Sequence, residues 1–329
     1  MVKIAIAGGA GNVGQEVMDA LVARDKHEII ILSRKDAPEI EIAPAAKWFK
    51  TKYDNVEELT KMLEGVHTVL SFMSVAPGDT AARPQEKLID AAVRAGVKRF
   101  APSEWASSNL DYFPWYDFKK SAREYLAELN KDKKLKVIEY TLFQFGLFTN
   151  YMTYPYKSSK HVNLFETPVN FHGCRGLLID DGEAIITLTT AQDAAKVTAL
   201  AVEYEGEWPV VSGVKGTDIT MNELVALGEK IRGQKFKIEY LKSEDLEAGA
   251  VEASWLPLPE HPSIPVEMRE KIAADMIKCF LLGIKHGALK VSDEWNKLLP
   301  EYEFTQPEEF LTKAWAAIDG GAKSVVTEN

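Results

Sequence analysis

The sequence predicts an α/β chain: a doubly wound parallel sheet followed by a second, smaller α/β domain. Three observations carry that expectation. The chain opens on an apolar run, Val2 to Ala7, that breaks into glycines and then resumes at helical spacing with Val13, Val17 and Leu21. Apolar runs of strand length then alternate with helical segments up to about residue 150, the signature of a parallel sheet covered by helices. Beyond it the alternation becomes irregular and richer in aromatic residues and proline. The expected division is a nucleotide-binding domain of residues 1–152 with roughly 184–213, and a substrate or cap domain of residues 153–183 with 214–329.

The opening strand and helix flank Gly8, Gly9, Gly11 and Gly14, with Asn12 and Val13 between the last two. Gly9, Gly11 and Gly14 satisfy G-x-G-x-x-G in the strand–turn–helix context that a dinucleotide fingerprint requires. Glycine there permits a tight turn, close approach of backbone to a pyrophosphate, and close helix–strand packing, and the helix N-terminus offers unpaired N–H groups to phosphate. These features give the NAD(P)-binding Rossmann type of sheet. The second strand, Glu28 to Leu32, delivers Ser33, Arg34 and Lys35 about 20 residues after the glycines, where such folds touch the adenosine ribose. An acidic residue there selects NAD. Arg34 instead offers a bidentate contact to a 2′-phosphate and Lys35 a further charge, so NADP(H) is the expected cofactor.

A third strand is expected from Lys47 to Lys52 and a helix from about Val56 to Leu63. A fourth strand, His67 to Phe72, should end beside the cofactor with Phe72 and Met73. A helix from about Pro84 to Ala95 stops at Gly96, and Val97 to Ala101 reads as a strand that delivers Ser103 at its end. The next helix begins near Trp115. The lysine-rich stretch from Asn130 to Lys136 reads as a solvated turn, and Val137 to Leu142 as the sixth strand. From there to about Asp181 the sequence is aromatic and irregular, and Phe145, Leu147, Phe148, Tyr151 and Met152 are the candidate substrate wall. A strand from Ala184 to Thr190, a helix from Ala191 to Val202 and a strand from Trp208 to Ser212 follow. Thr220 with Glu223 forms a capping box that opens another helix. A strand over Lys235 to Tyr240, a loop carrying Pro257, Pro259, Pro262 and Pro265, and helices near Pro265 to Leu282 and Gln306 to Ala317 complete the chain.

Composition excludes several classes. Lys and Arg number 39 against 49 Asp and Glu, for a net charge of −10, which argues against a nucleic-acid partner. Two cysteines, Cys174 and Cys279, have no metal or redox spacing and suit a reducing compartment. The six histidines show no paired-ligand spacing, so no catalytic metal is expected. No apolar run is long enough for a bilayer. Met1 runs almost directly into the first strand, leaving no room for a signal peptide. The expected location is cytoplasmic.

The glycines, Arg34, and Arg99-Phe100-Ala101-Pro102-Ser103-Glu104 followed by a lysine in the next helix resemble the NmrA-like and isoflavone-reductase-like branch of the atypical short-chain dehydrogenases/reductases. The resemblance covers most of the chain. It implies NADPH binding in the first domain, a substrate cleft, and one helix-borne lysine as catalytic group in place of the usual tyrosine–lysine pair. Plant reductases of this branch usually read P-S-E-F-G where this chain has Pro102-Ser103-Glu104-Trp105-Ala106. That departure sets it apart from reductases of plant lignans and isoflavonoids, and its wording looks more like the fungal members.

Two lysines compete for the catalytic role. Lys119, with Arg123 four residues later and Ala122 and Leu126 as its buried companions, fits the family's helix and is also a candidate cofactor contact. Lys120 pairs with Tyr116 in the Y-x-x-x-K spacing of ordinary short-chain dehydrogenases and epimerases, where residues four apart share a helix face. The expected activity is NADPH-dependent reduction of a small aromatic or conjugated carbonyl compound, with Lys119 as proton donor. Two alternatives stand beside it: a non-catalytic NADP/NAD sensor with a protein partner, and a Tyr116/Lys120 dehydrogenase or epimerase.

Overall fold

The computed structural model describes residues 1–38, 43, 46–74, 83–132, 137–260 and 264–326. Pro262 and most of the lysine-rich stretch, residues 133–136, lie outside them. The elements run β1 Lys3–Ala7, α1 Asn12–Val22, β2 Glu28–Ser33, β3 Lys47–Lys50, α2 Val56–Met62, β4 Thr68–Ser71, α3 Pro84–Arg94 and β5 Arg99–Ala101. A 3₁₀ turn, Pro114–Tyr116, leads into α4 Asp117–Leu129, then β6 Glu139–Tyr140, β7 Leu142–Gln144 and β8 Leu147–Phe148. The remainder comprises β9 Val169–Asn170, β10 Arg175–Ile179, β11 Ile185–Thr189, α5 Ala191–Glu203, β12 Val211–Gly213, β13 Thr217–Thr220 and α6 Met221–Arg232. It closes with β14 Lys237–Leu241, α7 Ser243–Glu247, α8 Val266–Lys285, α9 Glu294–Leu298 and α10 Pro307–Asp319.

Six strands form a parallel sheet in the order β3-β2-β1-β4-β5-β6, the doubly wound Rossmann arrangement. Its central strands are buried on both faces, which is why Ile4 to Ala7 and Ile29 to Leu32 read as continuous apolar runs. Strand order reverses at β1, between β2 and β4, so the sheet's switch point opens at the carboxyl end of β1, where the glycines stand. Ile30, Leu32, Val69, Leu88, Ile89, Phe100 and Leu126 belong to the core of this unit.

The chain divides into two compact units. One comprises Met1–Trp105, Trp115–Gln144 and Ala194–Gly213; the other comprises Ala106–Pro114, Phe145–Asp193 and residues from Val214 onward. The boundaries differ from those expected at residues 106–114, 145–152 and 184–193, which group with the second unit. There β8 pairs in parallel with β11, Leu147 opposite Leu188 and Phe148 opposite Thr189. The expected sixth strand is also split. After β6 the Thr141 hydroxyl turns to the Pro209 carbonyl at 2.5 Å, and Leu142–Gln144 pairs with β12 instead of the main sheet.

The second unit is built on two three-stranded sheets, β14-β10-β9 and β13-β11-β8. Strand β10 lies within the stretch expected to be irregular. Its apolar run is only Leu177 to Ile179, and its pairing partner β14 lies some sixty residues downstream, beyond the reach of local pattern. The capping box of α6 forms as expected: the Thr220 side chain accepts from Glu223 N, the Glu223 carboxylate from Thr220 N.

Within the first unit, one buried ion pair joins β5 and β6 to the segment that follows α5. Arg99 Nε donates to Glu139 Oε1 at 2.9 Å, and its other nitrogens donate to the carbonyls of Tyr204 and Gly206. Glu139 Oε1 also accepts from Trp208 N at 2.8 Å, and the guanidinium lies over the Trp208 ring. Removing one member of such a pair leaves the other charge buried and uncompensated. Arg99→Met should therefore cost about 3–5 kcal/mol of stability, read as a fall in the denaturant midpoint, with part recovered in Arg99→Met/Glu139→Leu. A loss under about 1 kcal/mol would show that water reaches Glu139 and that the pair holds nothing together.

Candidate active site

The turn after β1 is formed by backbone. Gly8 N donates to Leu32 O at 3.0 Å and Gly11 N to Gly8 O at 2.9 Å, and Gly11 is the N-cap of α1. Gly8 has φ +74°, and a Cβ on it would stand 2.9 Å from the Phe72 carbonyl carbon and oxygen. A Cβ on Gly14 would stand 3.0 Å from Gly8 O and 3.1 Å from Gly9 Cα. The loop is thus closed down onto the first turn of α1 to a spacing that side chains cannot share. Asn12 and Val13, the first residues of α1, sit at this helix N-terminus with Gly14, so free backbone N–H groups lie where the fingerprint needs them.

Around the end of β2, Ser33 is buried and its hydroxyl accepts from Lys35 N at 3.1 Å, fixing the turn that exposes Arg34 and Lys35. Arg34 makes a long hydrogen bond to the Ser74 carbonyl, 3.4 Å. Asp36, next after Lys35, pairs with Lys50 at 2.7 Å. Tyr53, which no sequence pattern singles out, is buried with φ +60° and donates its hydroxyl to Leu32 O at 2.6 Å; burial pushes its pKa up.

The ends of β4 and β5 are fastened together by side chains. Gln85 of α3, 3% exposed, accepts through Oε1 from Ser71 Oγ at 2.9 Å and from Ser103 N at 2.7 Å. Trp105 has φ +66° and donates from its indole to Ser71 O at 2.7 Å. Its ring stacks between Phe72 at 4.2 Å and Phe143 at 5.3 Å. The tryptophan that replaces the plant-type phenylalanine is therefore part of the wall formed by Phe72. Met73 is buried in the sheet core.

The same loop meets the lysine-bearing helix. Lys119, Ala122 and Leu126 form the buried face of α4, the companions expected for Lys119. Lys119 is 7% exposed; its ammonium donates to the Glu104 carbonyl at 2.5 Å and lies 3.8 Å from the Tyr116 ring centroid. The Glu104 carboxylate, 1% exposed, is gripped by Arg123 through Nε at 2.9 Å and a terminal nitrogen at 2.5 Å. Burial lowers the Lys119 pKa to about 8; the Glu104 charge opposes this and that of Arg123 adds to it. Lys120 is exposed, and Tyr116, with its hydroxyl pKa raised by burial, presents its ring to Lys119.

The candidate substrate residues all lie in the second unit. Phe145 and Phe148 are buried with ring centroids 6.2 Å apart, and Phe148 lies 5.8 Å from half-buried Tyr151. Tyr151 in turn packs on Phe165 at 4.2 Å. Leu147 and Met152 belong to that unit's core. Among the described residues no group of His, Cys, Asp and Glu could hold a metal ion, and no helix is long and apolar enough to cross a membrane.

The profile of the NmrA-like family matches residues 2–311. The chain belongs to that family. Among its relatives, oxidoreductase swnN of Metarhizium robertsii is 26% identical over 96% of this chain and 98% of its own. The structure of AtPrR2 with NADP+ and (+)pinoresinol has a TM-score of 0.68 at 20% identity, covering 95% of this chain and 98% of that one. The NADPH complex of the quinone oxidoreductase QOR2 from Escherichia coli has a TM-score of 0.66 at 21% identity, covering 95% and 99%. At such identities the structural likeness carries the fold.

Sequence reasoning passed over Gln85, and read Glu104 and Trp105 as motif residues and Arg123 as a cation near Lys119 without their mutual contacts. For Glu104 and Arg123 the signal was the Pro102 to Ala106 loop read with the i, i+4 spacing of Lys119 and Arg123, which sets lysine and arginine on one side of α4. In this family member, the Lys119 amine should titrate at about pH 8 in the protein without ligands. Its pH-dependent modification by an amine reagent, mapped by peptide mass spectrometry, measures that value; a midpoint near the ordinary 10.5 would mean that water reaches the ammonium.

Proposed function

We propose that this chain is an NADP(H)-dependent oxidoreductase that reduces a small aromatic or conjugated carbonyl compound, with Lys119 as proton donor. The observation that carries this reading is the buried Lys119 ammonium, held by the neutral Glu104 carbonyl at a depth where burial lowers its pKa to about 8. Family membership and the glycine cradle support the cofactor, because Gly8 and Gly14 stand where a Cβ would press on neighbouring backbone, which keeps the turn tight at the helix N-terminus as the fingerprint requires. In support of an aromatic substrate, one structural neighbour holds NADP+ and pinoresinol, and in support of a conjugated carbonyl, another is an NADPH-dependent quinone oxidoreductase.

Gly8, Gly9, Gly11, Asn12, Val13 and Gly14 hold the pyrophosphate, and Ser33, Arg34 and Lys35 the phosphorylated ribose. Phe72, Met73, Ser103 and Lys119 take the nicotinamide end. Bound NADPH supplies a hydride to an electrophilic carbon. Lys119 hydrogen-bonds the substrate oxygen on which negative charge develops and passes it a proton, leaving a neutral amine that solvent reprotonates. A depressed pKa suits this role, since the donor is still largely protonated at pH 7 but releases its proton more readily than an ordinary lysine. The protonated form is lost as pH rises through about 8, so turnover should fall above that pH. Within the second unit, Phe145, Leu147, Phe148, Tyr151 and Met152 are the proposed substrate residues, of which Tyr151 is half-buried.

Two measurements test the reading. Arg34→Ala should weaken NADPH binding roughly 10–100-fold with little change for NADH, the scale of one charge-assisted contact; equal wild-type affinity for the two cofactors refutes the phosphate assignment. With quinones, enones and aryl ketones as substrates, Lys119→Ala should bind NADPH nearly normally yet turn over at least about a hundredfold more slowly, whereas Lys120→Ala should be milder. The reverse ranking of the two lysines moves the chemistry to Tyr116 and Lys120.

A further inference from the structure

Lys119 stands beside a carboxylate that it does not pair with. Glu104 offers two kinds of acceptor, its main-chain carbonyl and its side-chain carboxylate, on one short loop. Lys119 takes the carbonyl, while Arg123, one turn further along α4, takes both carboxylate oxygens. A guanidinium presents two parallel N–H groups that match a carboxylate, and a lysine ammonium cannot displace such a pair with one contact. We propose that Arg123 is a positioning residue: by holding both carboxylate oxygens of Glu104, it restricts Lys119 to the Glu104 carbonyl and keeps its ammonium out of an ion pair.

For catalysis the inference rests on the reading of Lys119 as proton donor. An ammonium locked to a buried carboxylate is a poor acid, since proton release would leave that carboxylate uncompensated. One held by a neutral carbonyl keeps two N–H groups for a reacting oxygen. The groups that face Lys119 come from three places: Glu104 on the loop after β5, Arg123 on α4, and the Tyr116 ring from the 3₁₀ turn before α4. Of the two charged ones, Glu104 stabilises the ammonium and Arg123 destabilises it, so removing either should move Lys119 in opposite directions.

The test is the pH-dependent modification of Lys119 by an amine reagent, with no cofactor or substrate present, in wild type, Arg123→Gln, Arg123→Lys and Glu104→Gln. Arg123→Gln frees the carboxylate to capture Lys119, so the midpoint should rise by about one unit or more. Arg123→Lys supplies a single point charge and should give a smaller rise, and it serves as the readable variant if Arg123→Gln does not fold. Glu104→Gln leaves Arg123 beside the ammonium without its partner, and the midpoint should fall. In turnover, the high-pH limb of kcat should move with each midpoint while the KM for NADPH stays constant. Shifts of the same sign in Arg123→Gln and Glu104→Gln, or none in folded variants, overturn the inference. Because the titration needs no turnover, it stands apart from the lysine replacement: an active Lys119→Ala removes the catalytic reading while the midpoints still report on Arg123.

Discussion

The approach of the Gly8 backbone to the Phe72 carbonyl is the constraint on which the first unit depends. It occurs where strand order reverses, and it brings the turn after β1 to van der Waals distance from the end of β4. Hydrogen bonds secure the same corner, from Gly8 N to Leu32 O on one side and from Phe72 N to Ala7 O on the other. Three strand ends are thereby fixed around one turn. The remaining candidate residues hang from those ends: Ser33 and Arg34 after β2, Phe72 and Met73 after β4, and, through Gln85, Ser103 after β5.

From that corner the order passes along side chains. Gln85 ties Ser71 to Ser103, Trp105 returns its indole to Ser71, and Glu104 between them receives Lys119. The left-handed backbone at Trp105 is strained for a large side chain, and the strain is offset by stacking on two rings and one buried hydrogen bond. Lys119 is therefore fixed at both ends: Ala122 and Leu126 pin the helix that carries it, and the strand-end loop holds its ammonium.

How much of this was legible in the sequence follows from the range of each interaction. The strand–glycine–helix opening and the Thr220 capping box are set by neighbours within a turn or two of helix, so spacing alone exposed them, whereas the companions of Lys119 on α4 came from the resemblance of that helix to the family's. Strand β10 escaped because its partner β14 lies far along the chain and its own apolar run is short. The sixth strand was drawn too long because the departure at Thr141 depends on Pro209, sixty-eight residues away. Among the site residues, the aromatic segment looked like one wall by composition. Leu147, paired with β11, and Met152 lie in the second unit's core, while Tyr151 keeps partial exposure, a distinction that local pattern does not expose.

The grip of Arg99 on the carbonyls of Tyr204 and Gly206 has a consequence for how the protein is made. The sheet's first six strands are complete by Tyr140, yet the ion pair that closes over β5 and β6 draws on backbone some sixty residues later, and β7 waits for β12. Ala194–Gly213 belongs to the first unit although residues of the second precede and follow it. The nucleotide-binding half is thus no detachable cassette. A nascent chain must pass Trp208 before Arg99 reaches the carbonyls of Tyr204 and Gly206 and Glu139 the Trp208 amide, and until then the growing sheet carries a charge pair only half enclosed.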